Sequence, residues 1–190
     1  MKMRSTVKNI TTVIGFSLAA MMSIPAAQAI EGGVDVGKNF TDVNVGLGQH
    51  TSGLYINGGW VKNNENGREV AGAETGINMP VGPALINLGV QANYIKGSTG
   101  SSEGVVFPVG AGLQLPVNNA VGFYASAYTA PRQLSNSAKN YLDVDSGLSW
   151  TPLQPLTLKA GYRYIGMDGK NERPNQRLVE GPYVGGQVSF

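Results

Sequence analysis

Apolar and polar residues alternate along most of the chain beyond residue 30. Segment 42–48 shows the pattern, because Val43, Val45 and Leu47 occupy every second position between Asp, Asn and Gly. Successive side chains of a β-strand point to opposite faces, whereas an amphipathic helix repeats every 3.6 residues. No window beyond residue 30 keeps the helical repeat. The pattern therefore predicts strands with one apolar and one polar face.

The alternation predicts ten strands, with a turn at residues 37–40 between the first two. The ten segments are 33–36, 42–48, 54–60, 71–79, 88–94, 109–115, 121–128, 142–150, 158–164 and 183–190. An even number of strands brings both ends of a membrane barrel to the same side. Eight strands are the alternative, but that count would discard a clear alternating pair.

Strands with one apolar face can belong to a soluble sandwich or to a closed membrane barrel. The connections distinguish the two, because tight turns alternate with longer polar loops. The tight turns lie near 50–53, 80–84, 116–119 and 152–155, and the long loops are 62–68, 96–103, 131–140 and 166–181. Short periplasmic turns and longer extracellular loops are typical of bacterial outer-membrane barrels. The predicted fold is an all-β transmembrane antiparallel barrel of about 10 strands in the outer membrane.

Composition narrows the class of protein further. The chain of 190 residues contains 27 Gly and no Cys. Gly at about twice its usual share argues against a helical domain. The lack of thiols excludes a disulfide-stapled scaffold, a structural zinc finger and a cysteine enzyme.

The N-terminal residues have the pattern of an export signal. Three basic residues precede an apolar stretch at about 10–24, and the small-residue motif Ala-Gln-Ala follows at 27–29. This order predicts a cleaved signal peptide at 1–29 and an exported barrel at 30–190. Without the three basic residues the mature chain is nearly neutral, which removes the support for a nucleic-acid partner.

Aromatic residues are expected to form two interfacial girdles. They fall near the strand ends with aliphatic residues between them, as membrane interfaces favour. The girdle candidates are Trp60, Tyr94, Tyr128, Trp150, Tyr162 and Tyr164. The final strand ends on Phe190, which resembles the assembly signal of outer-membrane barrels. That resemblance implies the barrel-assembly machinery and periplasmic chaperones as partners during biogenesis, with outer-membrane lipid and lipopolysaccharide around the finished barrel.

Six short motifs occur in one order along the chain. They are GLG at 46–48, NMPVGP at 78–83, YTAP at 128–131, SWTPL at 149–153, AGYRY at 160–164 and GPYVG at 181–185. Each motif alone is common in barrels, but their order resembles the YfaZ family of Gram-negative outer-membrane proteins over nearly the whole mature chain. The resemblance implies a small outer-membrane β-barrel and supplies no catalytic residues.

The polar strand faces are expected to line the interior of the barrel. The charged candidates are Glu74, Asp143, Asp145, Lys159 and Arg163. Opposed residues of an antiparallel hairpin share a face. A three-residue turn at 153–155 places Asp145 opposite Arg163, and it places Ser149 opposite Lys159. We therefore predict an ion pair between Asp145 and Arg163 inside the barrel.

Two interpretations of this interior remain open. It forms either a narrow polar passage or ligand-binding lumen, or a plug of hydrogen-bonded side chains that conducts nothing. Eight strands enclose an interior that side chains just fill, and ten strands lie near that limit.

Two further classes of protein compete with a structural or minor-channel role. His50 is the only His, and we expect it in a periplasmic turn, away from any substrate of a lipid or peptide hydrolase. Asp143 and Asp145 share a face simply through strand alternation. The sequence has no phosphate loop and no metal-ligand motif, so we expect no cofactor and no metal. We therefore predict a non-enzymatic barrel. Mixed charges in loop 166–181 leave surface recognition or adhesion as an alternative function.

Overall fold

The computed structural model describes residues 29–97, 103–136, 138–169 and 175–190. The predicted signal peptide lies outside the described residues, except for its last residue, Ala29. Within the described ranges, no helix is long and apolar enough to cross a membrane.

Eleven strands make up the described part of the chain. They are β1 (Ile30–Gly37), β2 (Phe40–Leu47), β3 (Gly53–Asn63), β4 (Glu69–Val81), β5 (Ala84–Lys96), β6 (Gly104–Val106), β7 (Val109–Pro116), β8 (Val121–Pro131), β9 (Ala138–Leu153), β10 (Leu156–Gly169) and β11 (Gln176–Ser189). A 3-10 turn, Arg132–Leu134, follows β8. Ten of the strands form a closed antiparallel barrel, and the three residues of β6 add to one end of β5. The predicted ten-stranded barrel is confirmed.

The first and last strands join to close the barrel. β1 pairs with β11 along seven residue pairs. At the end of this seam, the amide N–H of Ile30 donates to the carbonyl of Phe190 at 3.0 Å, and the amide N–H of Phe190 donates back to Ile30 at 2.9 Å. Closure leaves the barrel without a free sheet edge, as a sheet in hydrocarbon requires.

The two ends of the barrel differ. Short turns at 48–52, 82–83, 117–120 and 154–155 lie at the end that also holds the start of β1 and the end of β11, which we call the turn end. The opposite end, the loop end, holds the short β1–β2 turn and the longer connections. The predicted loop 166–181 is shorter than expected, because β10 continues to Gly169 and β11 begins at Gln176. Its residues 170–174 lie outside the described part of the chain.

The outward face of the barrel is apolar along the middle of the strands. Val90 and Val184 are 51% and 65% exposed there. Of the girdle candidates, Trp60, Tyr94, Trp150 and Tyr162 lie on this face with between 38% and 51% of their surface exposed, and the half-buried Tyr164 lies on the same face of β10 as Tyr162.

The girdle assignment of Tyr128 is wrong. Its side chain is 4% exposed and its hydroxyl donates to Glu74 inside the barrel. The physical reason is strand parity, because Tyr128 alternates in phase with Tyr124 and Ser126, which also face inward.

Candidate functional site

The loop end of the barrel is filled by apolar side chains. They come from all sides of the wall and pack into one buried group, which we call the loop-end cluster. Its members are Phe40, Val61, Val70, Ile95, Val106, Ala130, Ala138, Tyr141, Ile165, Met167, Leu178, Val179 and Tyr183. Within this cluster, the rings of Phe40 and Tyr183 meet edge to face with centroids 6.0 Å apart. Side chains packed in this way form an apolar core at that end of the barrel.

This cluster arises because the polarity of the strands inverts at their loop ends. On β3, buried Val61 is followed by half-buried Lys62 on the outward face; on β5, fully buried Ile95 is followed by exposed Lys96. Strands of 13 to 16 residues, such as β4 and β9, exceed the roughly 9–11 residues that span a bilayer. A strand end beyond the hydrocarbon can face water outward and bury an apolar core inward, as in a soluble protein.

An irregularity in β11 adds to the cluster. Pairing between β10 and β11 shifts at Ile165, so that Val179 lies opposite Ile165 while Arg177 lies opposite Gly166. A bulge breaks the strict alternation of a strand. Leu178 and Val179 are therefore both buried although they are consecutive.

Below the cluster the lumen opens into a polar cavity of about 660 Å³, which we call the lumen chamber. Its lining includes side chains of the turn end, among them Gln49 and His50 of turn 48–52 and Asn118 of turn 117–120. Within the described part of the chain, no residue of the loop-end connections lines it. The chamber therefore lies on the turn side of the cluster.

All five charged residues predicted to face inward line this chamber: Glu74, Asp143, Asp145, Lys159 and Arg163. The register predicted for β9 and β10 is confirmed, since Asp145 lies opposite Arg163 and Ser149 opposite Lys159. The turn itself has two residues, 154–155, and the difference is absorbed by an irregularity between Leu156 and Leu158.

The predicted ion pair between Asp145 and Arg163 is wrong. The Arg163 guanidinium pairs instead with Asp42 of β2, and with Asp143 at 3.2 Å. The long Arg side chain reaches across the lumen, because β11 and β1 lie between β10 and β2. Lys159 pairs with Asp35 of β1 at 3.0 Å, over Gly185 of the single intervening strand β11.

Two carboxylates that lack a cation are held by tyrosine hydroxyls instead. Glu74 Oε1 accepts hydrogen bonds from Tyr55 at 2.6 Å and from Tyr128 at 2.5 Å, and Gln91 donates to its Oε2 at 3.1 Å. Gly89 lies beneath this group, and a Cβ at that position would collide with the Tyr55 hydroxyl. The sheet therefore needs a glycine there to seat the group.

A second group of the same composition surrounds Asp145. Its Oδ1 accepts a hydrogen bond from the Tyr183 hydroxyl at 2.8 Å, and the Tyr183 and Tyr124 hydroxyls are 2.5 Å apart. We call the two arrangements the Glu74 group (Glu74, Tyr55, Tyr128) and the Asp145 group (Asp145, Tyr183, Tyr124). Tyr124 and Tyr128 both come from β8, so this strand contributes to both groups.

The chamber carries more negative than positive side chains. Its carboxylates are Asp35, Asp42, Glu74, Asp143 and Asp145, and its permanent cations are Lys159 and Arg163. Within the described residues, no group of three or more His, Asp or Glu side chains is arranged to hold a metal ion.

Turn 48–52 is tied inward at the mouth of the chamber. Asn78 Nδ2 lies within hydrogen-bond distance of the carbonyls of Gly48, Gln49 and Thr51, at 2.8, 3.2 and 2.9 Å. Gln114 of β7 also donates to the Gln49 carbonyl, at 3.0 Å. These bonds fix the turn as part of the chamber's entrance.

His50 lies in this turn, where the sequence predicts it. Its Nδ1 is hydrogen bonded to Glu31 Oε2 at 2.7 Å, and Gln187 donates to the same oxygen at 3.0 Å. The half-exposed ring thus connects the turn to the seam between β1 and β11.

Several residues of the site lie outside the sequence prediction. Asp35 alternates between Val34 and Val36, so strand parity alone could have placed it inside. The pairing of Tyr183 with Asp145 joins strands that are not neighbours in the barrel, and no sequence signal reports it. The inward tyrosines can be placed by parity, but their carboxylate partners cannot.

Comparisons with known proteins identify relatives over almost the full chain. A family model described as YfaZ precursor matches residues 8–190. Outer membrane protein YfaZ of Escherichia coli (strain K12) is 35% identical over 176 residues, which cover 91% of this chain and 96% of that protein.

Solved structures of similar shape are barrels of low sequence identity. The outer membrane channel DcaP of Acinetobacter baumannii is 12% identical with a TM-score of 0.45; the match covers 88% of this chain, which spans 55% of the DcaP chain. The NanC porin is 13% identical with a TM-score of 0.47, and the match covers 86% of this chain and 100% of NanC.

Proposed function

The chain belongs to the YfaZ family of outer-membrane proteins, and we propose that its barrel is closed to the cell surface and open to the periplasm. The loop-end cluster is the observation that carries this proposal. In an outer-membrane barrel the short turns face the periplasm and the longer loops face outward. The lumen chamber is then a periplasmic chamber, and the cluster is its extracellular seal.

An apolar seal opposes ion flow for a physical reason. An ion that enters an apolar constriction must leave its hydration shell without finding polar replacements, and such constrictions gate channels by excluding water. Phe40, Ile95 and Ile165 are each fully buried within the seal. This packing supports a barrel that does not conduct in its resting state.

The polar half of the lumen does not need to conduct either. Arg163 and Lys159 form ion pairs with Asp42, Asp143 and Asp35. Tyrosine hydroxyls donate hydrogen bonds to the two remaining carboxylates, Glu74 and Asp145. The protein in this proposal is a small structural barrel with a periplasmic chamber, and a minor-channel role would require the seal to open.

We propose no catalytic role for this barrel. His50 is hydrogen bonded to Glu31 in a turn at the periplasmic mouth, where it takes part in fixing the entrance. Replacing it, in a His50→Ala variant, is expected to leave lipid and peptide hydrolysis by the purified protein at background.

Planar-bilayer recording on the purified protein tests the seal. We expect no discrete current steps from the wild type. A Phe40→Ala/Ile165→Ala variant, which empties part of the seal, is expected to show steps, because truncating two buried large side chains leaves a path for water. A matched Leu54→Ala/Leu88→Ala variant changes two outward side chains and is expected to stay silent.

Heat-modifiable migration on a detergent gel establishes that each variant is folded before it is recorded. Wild-type steps of constant size that change in Asp145→Ala would contradict the proposal, because they would report a polar passage through the chamber.

A further inference from the structure

We infer that the lumen chamber binds a small organic cation carrying ammonium groups, at the Glu74 group and the Asp145 group. The inference rests on the proposed function only for the side from which the ligand enters. The site itself is defined by the charges, the tyrosines and the volume of the chamber.

The chamber has more carboxylates than cations, which favours binding of a positively charged ligand. Five carboxylates line it, and the two permanent cations are used by Asp35, Asp42 and Asp143. Glu74 and Asp145 have hydrogen-bond donors but form no ion pair, although Arg163 stands opposite Asp145 in the sheet register. A carboxylate removed from bulk water is costly unless it is paired. Binding of a positive ligand would offset this cost.

A buried oxygen of Asp35 also indicates that the chamber has too few positive groups. The side chain of Asp35 is 5% exposed. Its Oδ2 pairs with Lys159, and its Oδ1 has no hydrogen-bond partner. Buried polar atoms are almost always satisfied by protein, water or ligand. That oxygen lies over the Cα of Gly185 and has no exposed surface, so it adds an uncompensated acceptor to the negative lining of the chamber rather than a contact open to the ligand.

The side chains around the two carboxylates fit an ammonium group better than a metal ion. Tyr55, Tyr124 and Tyr128 line the chamber beside Glu74 and Asp145. Aromatic rings attract alkylammonium groups through their negative faces, and a carboxylate adds a charge-assisted hydrogen bond. The described residues hold no group of three His, Asp or Glu for a metal. Two separate carboxylate groups instead suit a ligand with several positive centres.

The size of the chamber suits a linear polyamine. A volume of about 660 Å³ lies within the usual range of small-molecule pockets, about 300–1,000 Å³. A flexible chain with ammonium groups can contact both carboxylate groups, whereas an anion of the same size would meet an excess of like charge. Entry is past turn 48–52, which borders the chamber.

Isothermal titration of the folded, lipopolysaccharide-free barrel with spermidine tests the inference. The titration is run in a non-ionic detergent at constant ionic strength, because lipopolysaccharide and free charge would bind the probe on their own. We expect saturable binding to the wild type. Glu74→Gln and Asp145→Asn are each expected to weaken it about tenfold, since each removes one charge-assisted contact.

Glu65→Gln is the matched control, because it also removes one carboxylate but lies exposed in loop 64–68. It should bind spermidine as the wild type does. The inference is overturned if the wild type gives no saturable heat, or if magnesium chloride at equal ionic strength gives the same signal. Equal loss in all three variants would also overturn it, since that result would report surface charge only.

The two proposals fail separately. A wild-type barrel that conducts and still binds spermidine through Glu74 would remove the seal and keep the site. A silent barrel without spermidine binding would keep the seal and remove the site. Heat-modifiable migration of each variant shows that a loss of binding is not a loss of folding.

Discussion

At the scale of single residues, the barrel interior is organised by side chains that cross the lumen. Arg163 joins β10 to Asp42 of β2, and its second carboxylate is Asp143 of β9. The hairpin register of Asp145 and Arg163 could be predicted from the sequence, because it depends only on turn length and strand parity. The carboxylates that pair with Arg163 could not be predicted, because its long side chain can reach carboxylates on several strands around the lumen.

Removal of this guanidinium should be costly. In Arg163→Met, Asp42 and Asp143 would face each other without their cation, and breaking a buried pair in this way costs about 3–5 kcal/mol. We expect a corresponding loss in the free energy of unfolding, measured by urea titration of the barrel in detergent.

Arg177→Met is the control, because its pair with Glu180 lies on the exposed surface of the loop end. Surface ion pairs contribute little, so this variant should unfold like the wild type. Equal stability of the two variants would show that the Arg163 pairs are not buried in solution.

At the scale of strands, alternation predicts faces well but not where those faces change their role. The middle of each strand is apolar outward and polar inward, as predicted. Toward the loop end the assignment inverts, so Ile95 is buried in the lumen while its neighbour Lys96 is exposed. The sequence shows which residues near the loop end are apolar and which are charged. It does not show where along a strand the bilayer ends, so the change of face could not be predicted from the periodicity of one strand.

Two neighbouring residues of β5 test this inversion. Ile95→Gln places an amide in the loop-end cluster and should reduce the free energy of unfolding by about 2–5 kcal/mol, the usual cost of losing a large buried aliphatic side chain. Lys96→Gln introduces the same residue one position later, on the exposed outward face, and should be neutral. The fraction of heat-resistant barrel on a detergent gel reports both. A neutral Ile95→Gln would mean that the cluster is hydrated.

At the scale of the whole molecule, the number of strands, the closed topology and the asymmetry of connections could all be predicted. Each follows from a rule of sheets in hydrocarbon: no free edge, an even count, and short turns on one side. The division of the interior into an apolar cluster at the loop end and a polar chamber toward the turn end could not be predicted. It depends on side chains from all around the barrel meeting at one level, which no local pattern describes.

The orientation of these halves can be tested in intact cells. A specific protease site inserted in loop 64–68 should be cleaved when the protease is added outside. The same site in turn 117–120 should be cleaved only after the outer membrane is permeabilised, because that turn lies at the periplasmic end. Cleavage of the second insertion in intact cells, with the barrel still heat-modifiable, would reverse the assigned orientation of the chamber.

The seam between β1 and β11 allows the order of the strands along the chain to be changed by circular permutation. Ile30 and Phe190 are joined by two reciprocal backbone hydrogen bonds, so in a variant that lacks residues 1–29 a short linker can connect them without moving either strand. The fold then contains no position at which the chain has to start. Circular permutants opened at any loop-end connection would keep every strand neighbour, with their new termini on the opposite side of the membrane. Their assembly would show whether insertion requires the native order of strands or only the completed ring.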